Sequence, residues 1–339
     1  MANILYISVH EILEYDEVKL FVEMGHDVFS MGAYHDGGHR DLARPSIPGL
    51  KLHEDLDNIY LENPDRNNID QRIIDWADLV VIMHAPDVLI CNWQKLKSKK
   101  VIWRSIGQSL PHIEEAIAPL MKQGLKVVRY SPKENLLQKF AGSNAMIRFY
   151  ADKNELQGWN GNDPSAISFV QSLKGRANFC HYRDIVELVS GFPSKVFGSG
   201  NEDLGPLNGG RLTWDHMKGK LRDARVFVYG GTWPAAYTLS FLEAAVTGIP
   251  IVSIGKGMAE NLPGIDKIDF FEIPELFKNG KEIFYAEDMG TLRSHIFNLL
   301  NNHEMAKEMS TNLRNRALQY FDKDKIKREW EVFISEVMR

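Results

Sequence analysis

The segment from residue 229 to 257, YGGTWPAAYTLSFLEAAVTGIPIVSIGKG, constrains the fold more than any other part of the chain, because turn, helix and strand follow one another without interruption. Val226, Phe227, Val228 and Tyr229 form a short apolar, β-branched and aromatic run, and Gly230-Gly231 opens the turn. Leu239, Leu242, Glu243 and Val246 then recur at helical spacing until Gly248-Ile249-Pro250 stops the helix, and residues 251–254 resume as a strand. In an open α/β sheet, a helix that starts just past the carboxyl end of a strand points its free N–H groups and positive dipole end at the crevice where ligands bind. The segment therefore reads as a cradle for a diphosphate. The N–H groups of Thr238 and Leu239 would meet the anion, with Gly231 and Thr232 in the turn beneath, and Glu243 stands about one turn in, where a carboxylate suits a ribose diol. A helix of this composition between two buried strands is also ordinary scaffold in doubly wound proteins.

The run FLEAAVTGIPIVS resembles the sugar-nucleotide-binding signature of GT-B glycosyltransferases, and the match is specific at Glu243, Ala244, Gly248 and Pro250. That resemblance implies an α/β chain with two Rossmann-like doubly wound domains facing a central cleft. The first would take the acceptor and the second the nucleotide sugar. It further implies a hexosyltransferase that uses a nucleoside diphosphate sugar, UDP-sugar favoured, as co-substrate, with no cofactor and no metal. The chain departs from the pattern at Ala235, where many retaining members carry a donor-contacting glutamate eight residues before Glu243. The departure leaves the sugar and the stereochemical outcome open. It also keeps a non-catalytic nucleotide-binding protein of the same shape as an alternative, and the presence of Glu243 with Arg176 and Arg183 speaks for the enzyme. A sugar-phosphate epimerase would need acid and base groups around the donor sugar, and His181 and His216 are the only histidines between the linker and the cradle.

Composition narrows the class. The 339 residues suffice for two domains, and 44% hydrophobic content supports full cores. A net charge of −5 argues against a protein whose main business is coating nucleic acid. Cys91 and Cys180 are the only cysteines, which excludes a disulfide framework and makes the reducing cytoplasm the expected compartment. The start, MANILYISVHEILEYDE, turns acidic too soon for a signal peptide, and no apolar run approaches the ~18 residues of a membrane span.

The periodicities give two successive α/β units. Strands are expected at 3–9, 27–31, 78–83, 100–103, 126–130 and 146–150, with helices at 16–24, 69–76, 113–123 and 133–140. A Gly-, Asn- and Pro-rich stretch centred near 158–164 reads as the linker. Beyond it come strands at 167–173 and 195–198, helices at 183–190 and 217–224, and the cradle. The domains are thus expected at 1–157 and 165–325, and the resemblance implies that a last helix, 326–339, crosses back to the first.

Several constellations carry the chemistry. Ser172-Leu-Lys-Gly-Arg176 with Arg183 would place cations beside the cradle, so Arg176 and Arg183 are candidates to neutralise the leaving diphosphate, with Lys174 behind them. The turn Phe197-Gly-Ser-Gly-Asn201 resembles the loop that closes over the nucleotide in GT-B second domains, which assigns Gly198 and Ser199 to the donor. In the first domain the loops after the strands offer His10 with Glu11, Glu14 and Asp16, then His84, then Arg104 and Ser105. His10 ends the first strand and is the first candidate for a general base, with His84 second. His84, Arg104, Ser105 and Asp16 are assigned to the acceptor side. Several GT-B enzymes keep a catalytic His or Asp where this chain has Arg104 and Ser105, which inclines the reading toward retention. The loop 32–49 is unusually long and would bind the acceptor, while His26, His35 and His39 lack the spacing of a metal site. Backbone groups around 210–212 are expected to read the base.

The acceptor is a glycan, a small molecule or modified DNA. The order of elements in the second half also resembles the phage DNA-base glucosyltransferases, and Lys95, Lys97, Lys99, Lys100 and Arg104, with Trp93 and Trp103 among them, could track a phosphate backbone.

Overall fold

Alternating runs of β-branched residues and amphipathic helices build two parallel sheets, each buried on both faces by its own crossovers. A computed structural model describes residues 1–35, 44–107, 109–262 and 268–339. The chain divides into one compact unit of Met1–Arg148 with Asp324–Arg339 and a second of Phe149–Lys323.

The first unit holds β1 (Asn3–Ser8), β2 (Asp27–Ser30), β3 (Leu79–Met83), β4 (Lys100–Arg104), β5 (Lys126–Arg129) and β6 (Ala145–Met146), in the order β2-β1-β3-β4-β5-β6. Its core joins Leu5, Ile7, Val80, Ile82, Trp103 and Val127 to Ile73, Leu89, Trp93 and Ile117 of the flanking helices. The last helix, Lys323–Met338, sets Trp330 edge-on against Phe21 at 5.1 Å between ring centroids, within this same unit.

The second unit holds β7 (Asp163–Phe169), β8 (Ser194–Phe197), β9 (Asn208–Gly210), β10 (Ala224–Tyr229), β11 (Ile251–Ile254) and β12 (Phe284–Ala286), in the order β12-β11-β10-β7-β8-β9. Neighbouring strands run parallel throughout both sheets. In the second sheet the strand order reverses between β7 and β10, and the ligand crevice of such a sheet lies at the carboxyl ends of that pair.

Several elements differ from the expectations. Two helices, Glu54–Glu62 and Pro86–Leu96, lie where no helix is expected; the first buries only Leu56, so its apolar signal is thin. The helix expected at 133–140 is a 3-10 turn, Pro132–Leu136, closed by a capping box between Ser131 and Glu134. The strand expected at 146–150 keeps only Ala145–Met146. The strand expected at 167–173 starts four residues earlier at Asp163 and ends at Phe169. Leu173 is wholly buried as a loop residue, and this burial is what makes the loop look like strand in the sequence.

Candidate functional site

The cradle folds as its sequence suggests. β10 ends at Tyr229, Gly231 takes φ +73°, and the helix Leu239–Thr247 ends on Gly248 at φ +89°, a left-handed cap that glycine adopts without strain. Glu243 is the one ionisable residue of this helix and is 5% exposed. No side chain caps the helix N-terminus: the Thr238 hydroxyl pairs with Ser240 Oγ at 3.0 Å instead. The expected pair of phosphate donors is corrected by one residue, because the Thr238 N–H donates to the Tyr229 hydroxyl at 3.0 Å. Leu239 remains as a donor and Ser240, the next first-turn amide, joins it. No local pattern singles out Tyr229 for this task. Burial pushes its phenol pKa up and keeps it protonated.

The loop after β7 meets the loop after β8. The Ser172 N–H donates to Ser199 O at 2.7 Å and the Leu173 N–H to Asn201 Oδ1 at 2.8 Å, while Asn201 Nδ2 donates to Val170 O at 2.7 Å. Asn201, wholly buried, is thus the clasp between the two loops, and only its place after Gly-Ser-Gly hints at it. Gly198 is required here, since a Cβ would lie 2.4 Å from Val170 O at a φ of +139°. Ser199 is exposed at the tip. Gly230 packs on the next helix, where a Cβ would stand 2.8 Å from Ile185. Cys180 Sγ lies 3.6 Å from Thr232 Oγ1, which ties the β10 turn to the start of the helix Tyr182–Val189.

Arg183 is exposed in the first turn of that helix, which has no side-chain cap. Arg176 is half-buried in the loop, and among the described residues neither guanidinium has an ion-pair partner. Lys174 is corrected: it lies 3.6 Å from Asp203 in an exposed pair and is not a spare cation. His181, buried, bridges Asp184 at 2.8 Å and Ala259 O at 3.2 Å. Its contacts join the Arg183 helix to the segment after β11. The structure therefore brings Arg176, Arg183, Gly198, Ser199, Gly231, Thr232, Leu239 and Glu243 to the carboxyl edge of one sheet.

In the first unit the assignments divide. His10 and His84 follow β1 and β3, the neighbouring strands at which that sheet reverses its order. His10 Nδ1 accepts the Leu13 N–H at 3.3 Å and caps the helix Glu11–Glu23, so the ring lone pair that a base would use is engaged. His84 sits at φ 48°, an unusual conformation for a residue with a side chain. Burial pushes its imidazole down to about 4, with His10 adding to the fall. Asp16 is half-buried on the first helix, and Glu14 is buried as the acceptor of Ser30 Oγ and the Ala33 and Tyr34 amides.

Arg104 and Ser105 are corrected as acceptor-side groups. Arg104 is fully buried, donates to Glu17 at 2.7 Å and to Ile147 O at 2.7 Å, and lies 5.4 Å from the Trp330 ring. Ser105 donates to Glu134 at 2.8 Å, also fully buried. A strand end packed under a helix buries its polar groups, and those must then pair internally. His35 lies 3.4 Å from Asp57, while His39, with the middle of the loop expected to bind the acceptor, falls outside the described residues. Among the described residues no group of three His, Cys, Asp or Glu could hold a metal, and no helix is long and apolar enough to cross a membrane.

No family model matches the chain, and no curated protein matches it in sequence. Solved structures do match over the whole length. HepE from Anabaena, in complex with UDP-glucose, aligns at a TM-score of 0.67 and 13% identity, covering 99% of this chain and 100% of that one. The chain has the GT-B fold. An α-glucosyltransferase in complex with UDP and a 13-mer DNA containing a central A:G mismatch aligns at 0.67 and 11% identity, again over 99% and 100%. Sucrose-phosphate synthase from Thermosynechococcus elongatus aligns at 0.64 and 12%, over 99% of each chain. The second unit of this GT-B chain is the half whose crevice has the open helix start and, among the described residues, two guanidinium groups outside any ion pair.

Proposed function

We propose that this chain is a glycosyltransferase that moves a hexose from a nucleoside diphosphate sugar, UDP-sugar preferred, to a hydroxyl acceptor. The observation that carries the reading is the meeting, at the switch point of the second sheet, of an uncapped helix start, Glu243, Arg176 and Arg183. The likeness to GT-B structures solved with UDP and UDP-glucose supports it.

In this reading the amides of Leu239 and Ser240 hold the diphosphate and Glu243 accepts from the ribose hydroxyls. Arg176 and Arg183 stabilise the charge that grows on the leaving oxygens, where preorganised donors lower the barrier most. A cation in the first turn of a helix opposes the helix dipole, so the place of Arg183 makes sense when an anion arrives. Retention is the preferred outcome: with the His10 Nδ1 lone pair engaged and Arg104 buried, a front-face path lets the departing phosphate take the acceptor proton. Ala235 leaves the donor sugar with one carboxylate fewer than many retaining members have. A modified DNA base is the second reading of the acceptor, favoured by the likeness to the α-glucosyltransferase solved with DNA.

The test is a thermal-shift series with UDP, GDP, ADP, CDP and dTDP and their sugar conjugates, since a ligand of the folded state raises Tm. A base-selective rise is expected, with Glu243→Ala weakening donor affinity by ~1–3 kcal/mol, the scale of lost charged hydrogen bonds. No rise with any nucleotide at millimolar concentration would sink the reading. With the donor in hand, hydroxymethylated DNA belongs among the acceptors tried.

A further inference from the structure

The lysines between residues 97 and 126 have a place in the fold that the donor site does not use. Lys97, Lys99, Lys100 and Lys126 line one cavity of about 590 Å³ at the amino-terminal edge of β3, β4 and β5. Strand direction puts this edge opposite the carboxyl ends that carry His10 and His84. Trp93 and Met338 supply an apolar wall, and Asp78 is the one carboxylate in the lining. The Asp78 carboxylate already accepts the Asn3 N–H at 2.9 Å.

The bland account of these lysines is helix capping, because the negative ends of helices gather here. It covers Lys99, whose ammonium donates to Asp75 O at 3.1 Å and Ala77 O at 2.9 Å. It does not cover the others. Lys97 reaches only the Gln94 amide oxygen, at 2.5 Å, and Lys100 and Lys126 make no side-chain hydrogen bond among the described residues. None of the four is in an ion pair there, in a chain whose net charge is −5. Four uncompensated cations around one concavity make a local positive field against the net charge, and that is the signature of an anion site.

The geometry points to a binding site for a compact phosphate-bearing ligand at this edge, its anion among Lys97, Lys100 and Lys126 and its less polar part against Trp93 and Met338. Trp93 is 5% exposed, with its indole N–H on Gln123 at 2.8 Å, so the ring offers a fixed wall and not a stacking platform for bases. The buried Trp103 and Arg104 likewise remove two members of the backbone track expected from the sequence. Those facts favour a small ligand over a nucleic-acid strand.

The test is calorimetric titration of the whole protein with inorganic pyrophosphate at low salt, in three forms: unchanged, Arg176→Ala/Arg183→Ala, and Lys97→Gln/Lys100→Gln/Lys126→Gln. The site predicts binding that persists in the arginine variant and falls at least tenfold in the lysine variant, and Lys→Arg changes at the same three positions should restore it. The arginine variant separates this site from the donor crevice, so failure of either reading leaves the other standing. Sedimentation with phosphatidylglycerol vesicles distinguishes the source. Lysine-dependent binding to vesicles identifies a lipid headgroup; binding to pyrophosphate alone identifies a free phosphorylated metabolite. Equal pyrophosphate affinity in the unchanged and lysine-substituted proteins, or none in either, overturns the proposal.

Discussion

The two units have similar sheets and begin the helices after their central strands in opposite ways. In the first unit the helix after β1 is capped by His10, and those after β3 and β4 begin with Pro86 and Pro111, which have no N–H to offer. In the second unit the helices after β7 and β10 begin with Tyr182 and Leu239 and have no side-chain cap. Toward that sheet's edges the pattern returns to ordinary: Thr213 caps the helix Trp214–Asp223 and Asp288 caps Met289–Asn301. An uncapped helix start costs stability unless something else accepts its amides. The difference teaches that the same parallel architecture becomes an anion receptor only where the cap is withheld, and it assigns the diphosphate to the second unit.

The largest effect should come from the buried chemistry of the first unit. Arg104→Met leaves Glu17 buried beside Tyr6 without its cation, and unfolding by heat or denaturant should register a loss of ~3–5 kcal/mol. An unchanged Tm would mean that Arg104 is not structural after all. Next is acid sensitivity. His84 is held down to about 4 against an ordinary 6.5, so the unfolded chain binds its proton more readily. Stability from this group is therefore full above pH 6.5 and is lost as pH falls toward 4, by up to about 3 kcal/mol. His84→Asn, which tolerates the left-handed backbone, should flatten that limb of the pH–stability curve; a limb that persists would assign it to other groups.

Leu239→Pro sharpens the contrast directly, since it gives the second unit the first unit's kind of helix start. Thr238 at φ −109°, ψ 164° already has the backbone a following proline requires. Folding should be nearly unaffected while UDP affinity falls by ~1.5–3 kcal/mol, one charge-assisted hydrogen bond. Unchanged affinity in titration would break the assignment of the diphosphate to this helix. Smallest is His10→Ala, expected to cost ~1 kcal/mol of stability as a lost cap, with little change in turnover. A hundredfold fall in kcat without a Tm shift would restore His10 as a base.

Legibility follows the range of the interactions. Residues 251–254 are a strand as expected, and the helix of the cradle starts at Leu239 and ends at Gly248, because each signal lies within a few residues of what it controls. Arg104 reads from sequence as a basic loop residue. Its partner Glu17 is 87 positions away, and no local pattern announces such a pair. Asn201 and Tyr229 escape for the same reason, as their work is to join separate loops. The helix Pro86–Leu96 is hard to see although it buries five residues, since a Pro start and a Cys-Asn-Trp centre dilute its periodicity.

By itself the sequence determined the alternation of strand and helix, the turn glycines and the place of Glu243, since backbone preference and burial on both faces act on neighbouring residues. Only the tertiary structure decided which polar residues are spent inside and which stand at a crevice. Arg104 and Arg183 are the same residue type beside the same kind of strand–helix junction. Packing buries one against Glu17 and leaves the other exposed, because desolvation and pairing depend on what the rest of the chain brings to that point.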